Sequence, residues 1–464
     1  MPHISDSVAS LLELIRFPSV STQPEHDPDL IACAQWLADH LTRIGLAAAI
    51  HPTAGHPVVV ARTPVDPAKR TVLIYGHYDV QPAEPLEEWK SPPFEPEIRD
   101  GRIWGRGSTD NKGQLFAHIT GVAETLERDG TLPVNLIFLI EGEEEVGSTH
   151  LEEFLLTHRD ELKCDIIAIS DTGMAAHGYP TLTYALRGIT ALEFKVRGPA
   201  LDLHSGVYGG AVANPVTAAA RLVATLHDAD GRVAIPGFYD DVAPLEEWER
   251  VAATHSPVTD AAFLEQTGSP ALFGEAGYNS VERVGARPTA EVNGIGGGYQ
   301  GIGTKTVLPR EAFVKLTFRL VNNQNPERIL DLAEVHLRKN CPPGVTLEIE
   351  RGHSGLPYVF YPKSADGEAA QAALAEVFGR PAGLTREGGS IPIVTTFKQV
   401  LGVDTLLVAL ASPDCQAHSP NENFPLENFE KGIALNQALL RRLAAVTYQG
   451  DVTAEAIARN SNVA

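Results

Sequence analysis

Four short apolar runs constrain the fold of this chain more than any other feature. They span residues 57–61, 71–75, 133–140 and 165–169, and they are rich in Val, Ile, Leu and Phe without polar alternation. Runs of this kind are typical of strands that are covered on both faces, as in parallel sheets. The sequence therefore predicts a buried sheet, with its solvent-facing chemistry confined to the strand ends.

Helical periodicity surrounds these runs. Apolar residues recur at helical spacing over residues 8–15 and 30–44, and again over residues 115–126, between the second and third runs. Strands that alternate with helices indicate an α/β fold with a largely parallel, helix-covered sheet. The fold class that we predict for the first part of the chain is therefore α/β.

The pattern changes after about residue 181. Residues 181–197 and 312–321 alternate apolar and polar side chains, as in a sheet with one exposed face, and helices are predicted at residues 215–226 and 326–337. This pattern favours an α+β domain inserted into the first one. A buried strand at residues 405–410 and a closing helix indicate that the first domain then resumes.

The length of 464 residues exceeds what one hydrophobic core usually supports, so two domains are expected. The predicted division is a catalytic domain in two parts, an inserted lid and dimerisation domain between them, and the boundaries 1–187, 188–363 and 364–464.

Composition and charge exclude several classes of protein. No apolar run approaches the roughly 18 residues that a membrane helix needs, and the formal net charge of −22 disfavours nucleic acid and anionic membranes as partners. The first residues contain neither a basic nor a long apolar stretch, and the four cysteines are far apart. We therefore expect a cytoplasmic protein.

Potential metal ligands follow the predicted strands. In an open α/β sheet, ligands bind beyond the carboxyl ends of the strands, and those ends are followed by His77, Glu145, Asp171 and His418, while Asp110 precedes a helix. Taken singly, each residue has an ordinary alternative, such as a surface turn, a solvated helix start or an N-cap. Their convergence on one edge of one sheet favours a metal site.

The motifs around these residues are Gly-His-Tyr-Asp-Val-Gln-Pro (76–82), Gly-Arg-Gly-Ser-Thr-Asp-Asn-Lys-Gly (105–113), Glu-Glu-Val-Gly-Ser (144–148), Ile-Ser-Asp (169–171) and Ala-His-Ser (417–419). In these motifs, the chain resembles the dipeptidase branch of the metallopeptidase family that includes carnosinase, aminoacylase, carboxypeptidase G and succinyl-diaminopimelate desuccinylase. The resemblance covers nearly the whole chain.

The resemblance implies a site for two divalent cations, zinc or manganese, with cobalt as a further candidate. Asp110 would bridge the two ions, His77 and Asp171 would complete one, and Glu145 and His418 the other. A shared anionic ligand offsets the repulsion between two close cations. The resemblance also implies a cis peptide bond after Asp110.

Two carboxylates next to the ligands are expected to assist them. Asp79 would accept the second ring N–H of His77 and so fix its tautomer. Glu144 is the expected general acid and base, which would take a proton from a metal-bridging water and pass it to the leaving amine. The alternative is that Glu144 is the ligand and Glu145 faces solvent.

Further motifs, including Arg-Glu-Gly-Gly-Ser (386–390), resemble substrate-binding segments of the same dipeptidases. By that likeness, His204 would stabilise the oxyanion, Arg319 would bind the substrate carboxylate, and Thr306, Glu387 and Ser390 would line the pocket. In this family the histidine comes from the partner subunit, which implies a homodimer.

The predicted function is hydrolysis of dipeptides or short peptides with a free C-terminal carboxylate. One alternative is an N-acyl-amino-acid deacylase or desuccinylase on the same scaffold. Another, from a different class, is a catalytically inactive scaffold that only binds metal.

Overall fold

A computed structural model describes residues 4–447 of the chain. Its strands form four sheets, of nine, four, three and two strands, and the described strands are Ala47–His51, Val58–Arg62, Thr71–His77, Glu97–Arg99, Arg102–Trp104, Asn135–Glu141, Ile166–Ile169, Thr181–Leu186, Gly188–Arg197, Leu203–His204, Thr289–Gly297, Val307–Leu308, Glu311–Leu320, Thr346–Gly355, Tyr358–Val359, Gly383–Glu387, Thr405–Val408 and Asn423–Pro425.

The α-helices are Ile4–Ile15, Asp27–Arg43, Lys112–Asp129, Leu151–Thr157, Ser205–Tyr208, Pro215–Ala224, Glu247–Thr254, Asp260–Thr267, Ser280–Ala286, Pro326–Asn340, Ala365–Phe378, Pro392–Leu401 and Leu426–Ala444. Short 3₁₀ turns are formed by Pro24–His26, Leu86–Glu88 and Glu144–Val146.

The nine-stranded sheet, called the central sheet below, contains a block of four parallel strands. In spatial order these are Asn135–Glu141, Thr71–His77, Ile166–Ile169 and Thr405–Val408. Successive residues along them, such as Ile74 and Tyr75, are both buried, so both faces of the sheet are covered. The carboxyl ends of all four strands lie at one edge, which confirms the predicted α/β class with a largely parallel, helix-covered sheet.

The four-stranded sheet, called the insert sheet below, is antiparallel throughout, in the order Thr289–Gly297, Glu311–Leu320, Gly188–Arg197, Thr346–Gly355. Its core is separate from that of the central sheet. The helices Pro215–Ala224 and Pro326–Asn340 contribute buried residues to this second core. The strands alternate buried and more exposed residues, as the sequence pattern predicts for a sheet with one covered face.

One expectation about the strands is wrong. The segment 181–197 is not one alternating strand, because it breaks at Arg187 into two strands that belong to different sheets. Thr181–Leu186 is buried at every position and joins the central sheet, whereas the alternation of buried and exposed residues begins at Gly188. The first strand contains buried threonines. In the sequence, these polar residues resemble the solvent-facing positions of a one-sided strand.

The chain crosses from one core to the other at Arg187 and returns between Gly355 and Tyr358. The first crossing lies at the boundary 187/188, whereas the return precedes the boundary 363/364 by several residues, because Tyr358 and Phe360 already belong to the core of the central sheet. We keep the division 1–187, 188–363 and 364–464 as a proposal. Trp248, which lies in the inserted part, packs against the core of the central sheet, so the two parts share a contact beyond the crossings. Within residues 4–447, no helix is both long and apolar enough to cross a membrane.

Candidate metal centre

The predicted ligands reach one edge of the central sheet from five different segments. His77 is the last residue of its strand, and Asp171 lies two residues beyond Ile166–Ile169. Glu145 lies in the 3₁₀ turn Glu144–Val146, just beyond a third parallel strand. His418 lies in the loop after Thr405–Val408, and Asp110 lies two residues before the helix Lys112–Asp129.

The two carboxylate oxygens of Asp110 face two separate pairs of ligands. Its Oδ1 lies 3.1 Å from His77 Nε2, and the same nitrogen lies 3.8 Å from Asp171 Oδ2. Its Oδ2 lies 2.9 Å from His418 Nε2, which lies 3.3 Å from Glu145 Oε2. We call these the His77 half-site and the His418 half-site, and Asp110 belongs to both.

The donor set of each half-site is one imidazole and two carboxylates, which suits zinc or manganese. Ligand atoms of His77, Asp110 and Glu145 all lie within 4.8 Å of one another, close enough to hold one ion. Glu145 Oε1 is also buried without a hydrogen-bond partner among the described residues. Since a buried charged oxygen needs a partner, these residues fit a divalent cation.

The charges of the protein's own groups are poorly balanced here. Burial and the neighbouring Asp110 raise the pKa of Glu145 to about 7 and that of Asp171 to about 7. Burial lowers the pKa of His77, but hydrogen bonds to Asp110 and Asp79 outweigh it and leave that pKa well above its usual value. Crowded carboxylates of this kind are stabilised by bound cations, whose binding releases the protons.

Asp79 lies behind His77 and is fully buried. Its Oδ1 lies 3.3 Å from His77 Nδ1, and its two oxygens accept hydrogen bonds from the backbone N–H groups of Glu144 (3.3 Å) and Glu145 (3.0 Å). His77 Nδ1 also lies 3.1 Å from the backbone O of Asp79. Asp79 therefore orients a ligand of each half-site through its backbone and its carboxylate, as well as the residue proposed as general base.

Glu144 lies beside the ligands, and its side chain makes no hydrogen bond or ion pair with another residue of the described range 4–447. Burial, with further contributions from Asp171 and Asp110, raises its pKa well above the usual value for a glutamate, although His77 opposes the shift. A carboxylate with a raised pKa holds a proton more readily, which suits a group that accepts a proton and returns it.

Residues 73–442 match the sequence profile described as peptidase family M20/M25/M40. The chain belongs to this family. The Cys-Gly metallodipeptidase dug1 of Schizosaccharomyces pombe is 33% identical over 456 residues, which cover 95% of this chain and 96% of that protein. The human Beta-Ala-His dipeptidase is 30% identical over 464 residues, which cover 95% of this chain and 91% of that protein.

Among solved structures, the M20 family metallo-carboxypeptidase Sso-CP2 from Sulfolobus solfataricus is similar at a TM-score of 0.82, with 33% identity. The similarity covers 95% of this chain and 100% of that one. The two dipeptidases, from Schizosaccharomyces pombe and human, confirm the predicted resemblance to the dipeptidase branch of the M20 family.

The bond between Asp110 and Asn111 is cis, as the resemblance to the family implied. Asn111 was not predicted as a site residue. Its Nδ2 donates to Ser170 O at 2.6 Å and to Asp171 Oδ1 at 2.9 Å, so it connects the segment of the bridging carboxylate to a ligand of the His77 half-site.

Glu422 is a second residue of this M20-family site that sequence reasoning missed. Its buried carboxylate accepts hydrogen bonds from the backbone N–H groups of Gly107, Thr109 and Asp110 and from the guanidinium of Arg106, at 2.8 to 2.9 Å. Its position four residues after His418 was the available signal. Glu422 holds the glycine-rich segment that carries the bridging aspartate.

Two of the predicted substrate residues lie together, where the insert sheet meets the central sheet. Arg319, at the end of an insert strand, donates from Nη1 to Ser390 Oγ at 3.2 Å. Ser390 follows the central strand Gly383–Glu387, in which Glu387 is the last residue. Burial raises the pKa of Glu387.

His204 and Thr306 lie together elsewhere. His204 ends the strand Leu203–His204, and Thr306 directly precedes the strand Val307–Leu308 that pairs with it. Ser205 N donates to Thr306 O at 3.0 Å, and His204 Nδ1 accepts from Gly206 N at 3.0 Å. Both side chains are exposed. Within the described part of the same chain, neither makes a hydrogen bond or ion pair with the metal ligands.

Proposed function

We propose that this protein hydrolyses dipeptides or short peptides with a free C-terminal carboxylate at a dinuclear metal site. The observation that carries the proposal is the position of Asp110, whose two oxygens face separate imidazole and carboxylate pairs. A bridging carboxylate between two such pairs is the arrangement that two-metal hydrolysis requires. The dipeptidases among the relatives support the same conclusion.

The residues that would hold the ions are His77 and Asp171 for one, Glu145 and His418 for the other, and Asp110 for both. Zinc and manganese match these donors, and cobalt also fits. When bound, such ions polarise a peptide carbonyl and lower the pKa of water.

Glu144 then moves the protons. Its carboxylate takes a proton from the attacking water and passes it to the amine that leaves, so one group serves as base and then as acid. Asp79 is a positioning residue, because it fixes the ring of His77 and the backbone of the turn that carries Glu144.

Substrate recognition is proposed for the residues around Arg319. Its guanidinium offers two parallel donors to a terminal carboxylate, and Ser390 and Glu387 line the same pocket. His204 and Thr306 are proposed to act in the partner's site of a homodimer, where His204 stabilises the oxyanion. Their exposure and their separation from the ligands of their own chain support this arrangement.

We propose a cytoplasmic location. Its support is that all four cysteines, Cys33, Cys164, Cys341 and Cys415, are free thiols in the structure.

Replacement of Glu144 tests the mechanism. Glu144→Gln keeps the size of the side chain and removes its basicity, so turnover should fall by about 10²-fold or more while metal content stays near that of the wild type. Steady-state kinetics and elemental analysis on the same preparation measure both. Glu152→Gln, on the exposed face of the next helix, is the matched control and should leave both unchanged.

The choice of substrate tests the activity itself. Cys-Gly and β-Ala-His, each with and without an N-acetyl group, are incubated with protein loaded with zinc, manganese or cobalt. Cleavage of the unblocked dipeptides is the expected result. Cleavage of the N-acetylated forms alone would instead identify a deacylase, and metal binding without cleavage of any form would identify an inactive scaffold.

A further inference from the structure

Arg187 and Arg319 are neighbouring cations, and among the described residues neither has a carboxylate at ion-pair distance, although the charge of Glu291 also acts on Arg187. Arg319 donates to Ser390 Oγ, while Arg187 donates from Nε to Gly388 O at 3.0 Å and from Nη1 to Arg287 O at 3.5 Å. Each of these acceptors is a neutral oxygen. A partly buried pair of guanidinium groups without an acid is unusual, because buried charges are normally paired.

Four other arginines of low exposure have a carboxylate at ion-pair distance, and the pairs are Arg70 with Asp366, Arg106 with Glu422, Arg287 with Glu275 and Arg386 with Glu249. Arg283, which bonds backbone carbonyls, is an exception. Unlike the four paired arginines, Arg187 and Arg319 have no ion-paired acid, so an anion from outside the chain can supply the countercharge.

Electrostatics agree with this geometry. Burial, followed by the charge of Arg319, lowers the pKa of Arg187 to about 10. Arg187 is still protonated at neutral pH, so the pocket retains two positive charges that repel each other. An anionic group placed between or beside them would relieve that repulsion.

Arg187 also fixes the loop that carries Glu387 and Ser390. Its backbone N–H donates to Glu387 O at 3.3 Å and to Gly389 O at 3.2 Å, and its carbonyl accepts a hydrogen bond from Ser390 Oγ. Together with the bond to Gly388, the residue contacts every member of the segment 387–390. It does so at the crossing between the two sheets, where Ile189, two residues later, pairs with Arg319.

We propose that Arg187 is a positioning and specificity-determining residue for the substrate's terminal carboxylate. Arg187 holds Ser390 against Arg319. It also supplies a second positive charge, which the terminal carboxylate of a substrate balances and a terminal amide does not. The pocket should therefore discriminate strongly between a free carboxylate and an amide. This inference rests on the proposed function and deepens it.

A merely structural role makes a different prediction. If Arg187 only clamps the loop, its loss would distort the pocket for every substrate, and a dipeptide and its C-terminal amide would suffer equally. The comparison between these two substrates therefore separates the two roles.

The experiment uses two variants of the metal-loaded full chain. Arg187→Gln removes the charge and keeps a donor for Gly388, whereas Arg187→Lys keeps the charge. For the Gln variant, KM for β-Ala-His should rise by about tenfold or more with kcat within about threefold, while KM for β-Ala-His amide should stay within about twofold. The Lys variant should keep most of the preference for the free carboxylate.

Arg283→Gln is the matched control. Arg283 is similarly half-buried and also bonds backbone carbonyls, but those of Glu275 and Phe273 and not those of the segment 387–390, so its loss should leave the preference unchanged. The inference alone is overturned if the wild type prefers the carboxylate and the Gln variant keeps that preference. It is equally overturned if both substrates weaken together in both Arg187 variants. A wild type that hydrolyses neither substrate overturns the proposed function as well.

Discussion

At the scale of single residues, Glu422 shows how a carboxylate outside the set of proposed metal ligands can position one of them. It accepts three backbone hydrogen bonds and one from Arg106, and the last of the backbone donors is Asp110 itself. Burial raises the pKa of Glu422, and the charge of Arg106 opposes that shift. The network is costly to break, because each partner is desolvated.

Glu422→Gln should weaken both the fold and the metal centre. The substitution leaves the buried guanidinium of Arg106 without its countercharge and turns an amide nitrogen toward backbone donors, so the free energy of unfolding should fall by about 3–5 kcal/mol. The segment that carries Asp110 loosens, and metal affinity should decrease with it. Chemical denaturation and competition with a chelator measure the two effects.

Glu427→Gln is the control for that experiment. Glu427 pairs with Lys431 at the surface and its side chain is 71% exposed, so its loss should change stability by less than about 1 kcal/mol. A Glu422→Gln protein with wild-type denaturation and chelator resistance would show that Asp110 is held by other groups.

The residues that could be predicted from sequence are those that follow a recognisable strand. His77 and Asp171 end or follow runs whose burial is evident from their composition, and the carboxyl ends of parallel strands must meet. Asn111 and Glu422 could not be predicted in the same way. Their partners, which include backbone atoms and the side chains of Asp171 and Arg106, belong to segments far away in sequence. The position of Glu422 close to His418 in sequence was a signal, but it does not identify these contacts.

At the scale of elements, the helix Lys112–Asp129 connects the metal centre to the rest of the fold. It begins two residues after Asp110 and packs along the closing helix Leu426–Ala444. The two helices approach closely at Gly121, where an added Cβ would lie 2.8 Å from Asn436 Cβ and 2.8 Å from Ile433 O. The absence of a side chain at this position sets the spacing of the two helices.

Gly121→Ala should therefore destabilise the protein, although alanine is the better helix former by about 1 kcal/mol. Overpacking against a backbone carbonyl should cost about 1–3 kcal/mol, and it outweighs the gain in propensity. Thermal denaturation measures the net effect. Gly294→Ala is the control, because its added Cβ would make only ordinary contacts with Lys315. An unchanged or raised denaturation temperature for Gly121→Ala would mean that the two helices can move apart without loss of stability.

Elements were predictable where the hydrophobic period was unambiguous. The four buried runs and the helices over residues 8–15, 30–44 and 115–126 all appear in the structure. The segment 181–197 failed because Thr181 and Thr183 are polar in sequence and buried in the sheet, where they imitate the alternation of a one-sided strand. A threonine can be buried where its hydroxyl has hydrogen-bond partners, and the sequence alone does not show those partners. In the structure, Thr181 Oγ1 donates to Tyr179 O and accepts from Ala175 N.

At the scale of the whole molecule, one chain does not assemble every proposed site residue. The ligands and Glu144 converge at the central sheet, and Arg319 and Ser390 meet at the crossing, but His204 and Thr306 lie exposed on another part of the insert. Sequence could indicate these residues only through the family resemblance. Where they act depends on how two copies of the chain meet, which no pattern within one chain specifies.

Mixing two inactive variants tests whether His204 acts in the partner's site. Glu144→Gln lacks the proton carrier of its own site, and His204→Ala lacks the residue that it would lend to its partner. In a mixed dimer, the His204→Ala subunit keeps its own Glu144 and receives His204 from the other copy, so one site is complete. With random exchange of subunits, about a quarter of wild-type activity should return. Each variant alone should stay inactive, and equilibrium sedimentation should show dimers throughout. If His204 instead served its own chain, every site in the mixture would lack either the histidine or the glutamate, and dimers without restored activity would be the result.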